Sequence, residues 1–147
     1  MMAISLATVR SVTLDAAQQA AKAALSRAES GGHAVAVCIT DAAGRGLVAL
    51  RMDGAPWPCA DVARAKAETA CAFGTATHAL GEALDDEHPR VAQGLVGGGH
   101  LTLVGGGVPL TAEGEVIGAI GVSGASESED IACAEAGAAA VQFETQG

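Results

Sequence analysis

Along the first third of the chain the apolar positions change period, and each change marks an element. Residues 13–30 form Ala-rich turns behind Thr13 and Asp15, and Gly31-Gly32 close the run. That pattern predicts a helix capped by the Thr13 hydroxyl, with Asp15 complementing the dipole at its start. Residues 33–40 alternate instead: Val35, Val37 and Ile39 fall on one face, and Ala34, Ala36 and Cys38 on the other. A turn at Asp41-Ala-Ala-Gly44 and a second run over 45–51 complete a β-hairpin.

The helical period returns after a loop over 52–58, where Pro56 and Pro58 flank the only tryptophan. Residues 59–73 place Val62, Ala63, Ala67, Ala70, Cys71 and Phe73 on roughly one face, with Lys66 near its border and Gly74 as the stop. A short third helix is expected over 75–84, then the acidic link Asp85-Asp86-Glu87 and an irregular stretch over 88–99. Short strands follow at 101–104, 108–112 and 115–122. Ser126 and Glu129 have capping-box spacing and open a last helix, expected to reach about Glu144. This order of helix, two strands, helices, three strands and helix predicts an α/β (α+β) sandwich with an antiparallel sheet. A Rossmann fold does not fit it. The whole of 1–147 reads as a single domain.

Composition narrows the classes. Half the residues are hydrophobic but only 2% are aromatic, so Ala, Val, Leu and Ile must build the core. The formal charge of −9 argues against nucleic acid and against anionic membranes. No apolar run is long enough to span a bilayer, and the start of the chain lacks a secretion signal, which makes the cytoplasm the expected location. Cys38, Cys59, Cys71 and Cys133 form no CxxC pair, and no two histidines have metal spacing, so no metal site is expected.

Glycine is the most telling residue. Gly97-Gly98-Gly99 and Gly105-Gly106-Gly107 both lead into expected strands and lack a following Lys-Ser/Thr, which excludes a phosphate loop. Gly118 and Gly121 sit inside a strand, so a helix, a ligand or a second subunit must approach that backbone closely.

A few side chains carry candidate chemistry. Arg51 ends a strand beside Asp53, and its guanidinium suits a carboxylate, a phosphate or a heme propionate; pairing with Asp53 would instead fix the loop. Lys66 is one of two lysines; it is either an anion anchor and base, or a stem along the core with its amine in water. His100, between the glycine triplets, is a candidate ligand or acid/base, while His33, His78 and His88 read as peripheral. Ser123 and its neighbouring amides can orient a ligand's oxygens. Glu129 and Asp130 read as partners of a helix dipole.

Several segments, in order, then resemble one family. They are Val37 to Asp41 with Gly44, Arg51-Met-Asp-Gly-Ala55, Ala65-Lys-Ala-Glu-Thr-Ala70, Gly105-Gly-Gly-Val-Pro-Leu110, Val116-Ile-Gly-Ala-Ile-Gly-Val-Ser-Gly124, and Glu129-Asp130 with Ala136-Gly137. Together, over about residues 13–140, they resemble the GlcG/HbpS family of heme-binding proteins, which includes the C-terminal domain of PduO-type proteins. The resemblance implies a profilin-like fold with a five-stranded antiparallel sheet, and assembly as a homo-oligomer from dimer to octamer. It implies binding of a small ligand, with heme a possible cofactor, in a protein associated with a catabolic pathway. The ligand cleft would lie between Arg51 and Asp53, the Lys66 helix, Gly105-Gly106-Gly107 and Ser123, with His100 as the candidate axial ligand. The alternative reading is a cofactor-independent lyase or isomerase acting on a small oxygenated acid, with Arg51 as anion anchor and Lys66 or His100 moving the proton.

Overall fold

The first helix, α1 (Leu14–Ser30), begins where the Thr13 hydroxyl accepts the Ala16 N–H and ends at Gly31. It leads into the hairpin β1 (Ala36–Asp41) and β2 (Gly46–Arg51). Next come α2 (Pro58–Phe73), α3 (Thr77–Leu84) and α4 (Pro89–Val96), then β3 (Gly107–Ala112), β4 (Glu115–Ser123) and α5 (Glu127–Ala139). The computed structural model describes residues 1–141 and 143. The strands lie in the order β2-β1-β4-β3, every neighbour antiparallel.

The sheet among the described residues has four strands where five were expected, because residues 101–104 join no ladder. Threonine hydroxyls take over their backbone groups. Thr69 Oγ1 accepts the Thr102 N–H at 3.1 Å, Thr102 Oγ1 accepts the Val104 N–H at 3.2 Å, and Thr77 Oγ1 donates to the Val104 carbonyl at 2.8 Å. Once satisfied in this way, the segment has no need of a strand partner. Residues 89–96, expected to be irregular, form α4 instead. The His88 imidazole accepts the Arg90 N–H and Pro89 occupies the first turn, where its missing N–H is harmless. At the far end α5 stops at Ala139, short of the expected Glu144, which lies outside the described residues. Val141 and Phe143 leave the helix to pack against the core.

Both faces of β1 and β4 are covered. On one face Val35, Val37, Ile39, Ile120 and Val122 meet the alanines of α1 together with Cys133 and Ala134 of α5. On the other, Ala36, Cys38 and Ala119 meet Ala63, Ala67, Ala70 and Cys71 of α2. The alternation read from residues 33–40 therefore sorts β1 into two apolar faces. Small residues set the spacing: a Cβ on Gly121 would strike the backbone of Ala63 and Ala67, and one on Gly137 would lie 2.8 Å from the Ala20 carbonyl. The close approach expected at Gly121 is that of α2.

Candidate functional site

Lys66 occupies the centre of the molecule. The third turn of α2 turns it inward, leaving it 1% exposed, and its amine reaches through to the end of β4. There Nζ donates to the Val122 carbonyl at 2.9 Å and to Asp130 Oδ2 at 3.0 Å. Asp130, itself 3% exposed, uses its other oxygen to accept the Ala125 N–H at 2.9 Å. The amine is held away from water and donates to the Val122 carbonyl and to Asp130, rather than lying in solvent at the end of a stem. Asp130 is more than a dipole partner: it closes a buried ion pair joining α2, β4 and α5.

The second glycine triplet lies directly over that pair. Gly105, Gly106 and Gly107 are buried. Gly106 has φ 127°, and a Cβ there would lie 2.5 Å from the Val122 carbonyl and 2.9 Å from Lys66 Nζ. A Cβ on Gly107 would collide with the Lys66 carbonyl, and its N–H donates to Thr77 Oγ1 at 3.0 Å. The Gly105 N–H donates to Glu127 at 2.9 Å. These amides serve the fold. Ser123 is buried at the end of β4, opposite Ala36 on β1.

Arg51 lies elsewhere, at the end of edge strand β2, where NH1 donates to the Ala55 carbonyl at 2.7 Å and closes the 52–55 turn. Asp53 is exposed in that turn. Arg51, Lys66 and His100 thus occupy an edge turn, the core and a surface groove respectively.

His100 lines that groove. A depression of about 330 Å³ is bounded by His100, Gly99 and the outward residues Asp61, Arg64, Ala65 and Glu68 of α2. Arg64 and Glu68 pair one turn apart at 3.2 Å and continue into a second depression along the hairpin, lined also by Arg45, Leu47 and Val48. The segment that follows His100 lines a separate, more apolar depression. Val96, Leu101, Leu103 and Val104 line a shelf of about 410 Å³ ending at Glu127. His100 thus lines the charged trough, and the apolar shelf includes its chain neighbour Leu101. The sequence signal for the shelf was Leu101-Thr-Leu-Val104, read instead as a strand.

The other imidazoles are placed differently. His88 is committed to the α4 cap, His33 Nε2 lies 3.8 Å from Glu129, and His78 Nδ1 is buried without a hydrogen-bond partner. Cys38, beneath Arg64 and Glu68, has its thiol pushed up to about 11 by burial, with the Glu68 charge adding to the shift and Arg64 opposing it. It is a buried thiol rather than a nucleophile at neutral pH. Among the described residues no cluster of three or more His, Cys, Asp or Glu side chains is placed to hold a metal ion, and no helix is long and apolar enough to cross a membrane.

Comparison with known proteins agrees with this architecture. Residues 12–139 match the family described as haem degrading protein HbpS-like. The crystal structure of a double mutant of HbpS from Streptomyces reticuli is 36% identical, with a TM-score of 0.85 covering 97% of both chains. A structure of a PduOC:heme complex is 34% identical, with a TM-score of 0.82 over 93% of this chain and 99% of that one. The corrinoid adenosyltransferase PduO of Citrobacter freundii is 34% identical over 92% of this chain, but the chain spans only 40% of that protein's length. The protein belongs to the HbpS-like family.

Proposed function

We propose that this chain is a small-ligand-binding protein whose ligand is heme, held at the groove beside His100. The observation that carries the reading is that imidazole in the Arg64 depression, with the apolar shelf of Val96, Leu101, Leu103 and Val104 including the next residue along the chain. A macrocycle with an apolar body and anionic carboxylates asks for these three features together. His100 would supply the axial nitrogen, the shelf would offer an apolar surface, and Arg64, exchanging its exposed pair with Glu68, would face the carboxylates together with Arg45 further along the trough. Bound heme iron would supply redox and small-molecule ligation chemistry. The solved heme complex of a relative supports the choice of ligand. Association with a catabolic pathway, a cytoplasmic location and self-association as a homo-oligomer belong to the same proposal.

Titration of the purified protein with hemin tests it. The expected result is a Soret band displaced from that of free hemin. His100→Ala should abolish the displacement and weaken binding roughly tenfold or more, as loss of a metal ligand does. A spectrum that stays that of free hemin overturns the ligand. A displaced band unchanged by His100→Ala overturns the site.

The lyase or isomerase reading requires Arg51 to share a cleft with Lys66 or with His100. Their separation, and the engagement of Lys66 by Val122 and Asp130, gives it no comparable support.

A further inference from the structure

Three surface depressions converge on one residue of α2. The groove beside His100 and the trough along β2 are both lined by Arg64 and Glu68. A third depression, of about 410 Å³, lies between the β1–β2 turn and the end of α2, where Ala42, Gly44, Cys71 and Ala72 line it. Glu68 lines all three. Its carboxylate therefore stands at their junction, one helical turn from Arg64 and 3.2 Å from that guanidinium.

The pair opens easily. Its side chains are 65% and 33% exposed, and the base precedes the acid along the helix, the less favourable order against the helix dipole. An exposed pair of this kind contributes little stability. Once free, the Glu68 carboxylate has room in the third depression but gains no cation there, since its other lining residues are alanine, glycine, cysteine and leucine. The charge count along the groove and trough is also set against a bound anion. Apart from His100, the cations lining them are Arg64 and Arg45, and Glu68 and Asp61 already supply two carboxylates. A ligand with two carboxylates raises the acids to four against two guanidiniums. The formal charge of −9 on the whole chain adds to that repulsion. Such a ligand can hold Arg64 only by displacing Glu68, and Glu68 stays within reach to take it back.

We propose that Glu68 is a built-in competitor for Arg64, so that the groove exchanges its ligand instead of retaining it. The inference rests on the heme reading and deepens it: the chain is a carrier that yields its ligand to a tighter binder. Glu68 is then a positioning residue, acting through Arg64.

The test measures how fast hemin passes from the loaded protein to excess apomyoglobin, followed by the Soret band, for the parent, Glu68→Gln, Arg64→Gln and the double variant. Glu68→Gln should slow release roughly threefold, the scale of an exposed ion pair, and Arg64→Gln should speed it. In the Arg64→Gln background Glu68→Gln should have no effect, because the competition has lost its object. With hemin dimethyl ester, whose carboxylates are masked, the slowing should vanish. Release from Glu68→Gln as fast as from the parent, or slowing that persists in the Arg64→Gln background or with the ester, would overturn the role of Glu68 alone. A parent chain that never displaces the hemin Soret band would overturn the ligand, and this proposal with it.

Discussion

The two glycine triplets share a composition and have opposite fates. Gly97-Gly98-Gly99 lies exposed between α4 and His100, and a Cβ on Gly99 would meet nothing within 4 Å. Gly105-Gly106-Gly107 is buried over Lys66, where an added Cβ meets backbone or side-chain atoms at all three positions. The first triplet uses glycine for backbone freedom beside a candidate site. The second uses it because nothing larger fits against α5 at Gly105, β4 and the Lys66 side chain at Gly106, and the α2 backbone at Gly107. A run of glycines says that the backbone is special. Only its surroundings say whether freedom or closeness is the reason.

Four single substitutions, one of them extended to a double, probe that contrast. The largest effect is expected from Gly107→Ala, whose methyl group meets the Lys66 backbone and the Thr77 side chain. Neither has a free direction in which to yield, so the variant should lose about 3 kcal/mol or more, measured by urea denaturation. Wild-type stability there would show that α2 can lift from the sheet. Next is Lys66→Met, which strands Asp130 as an unpaired buried charge and should cost about 3 kcal/mol, the lower end for a broken buried pair. Adding Asp130→Leu should restore much of that loss; failure of the double variant to recover would mean that the polar groups hold β4 and α5 in register. Gly99→Ala comes third. It has space but a φ of 77°, so about 1 kcal/mol is expected from backbone strain alone. The smallest effect belongs to Gly98→Ala, within about 0.5 kcal/mol of the parent. If Gly98→Ala matched Gly107→Ala in a melting experiment, the distinction between the triplets would collapse.

Local sequence signals survived into the structure where the cause was local. The Thr13 and Ser126 hydroxyls each accept an N–H of the helix they precede, Gly74 ends α2 with φ 62°, and Gly121 admits α2 onto β4. What escaped was long-range. Lys66 and Asp130 stand 64 positions apart, and each had a sufficient local explanation, a snorkelling stem and a dipole partner. Nothing in either neighbourhood announces the other. Leu101-Thr-Leu-Val104 has good strand propensity, but Thr69 and Thr77, distant in sequence, satisfy its backbone first. The candidate site fared similarly. His100 was legible as a histidine on glycine-rich backbone, while Arg64 and the shelf depended on how the 101–104 segment folds back on α2.

The packing of α1 on α5 bears on how this protein can be studied. The buried residues of α1 are Ala17, Ala20, Ala21, Ala24 and Ala28, and across from them α5 offers Cys133, Ala134 and Gly137. Alanine surrenders no rotamer freedom when buried, so this interface orders at little side-chain entropic cost. It is also nearly invisible to alanine scanning, since there is almost nothing left to remove. A scan that adds atoms, by Ala→Val or Gly→Ala, is the one that would map it, and natural variation at these positions should be confined to the smallest side chains.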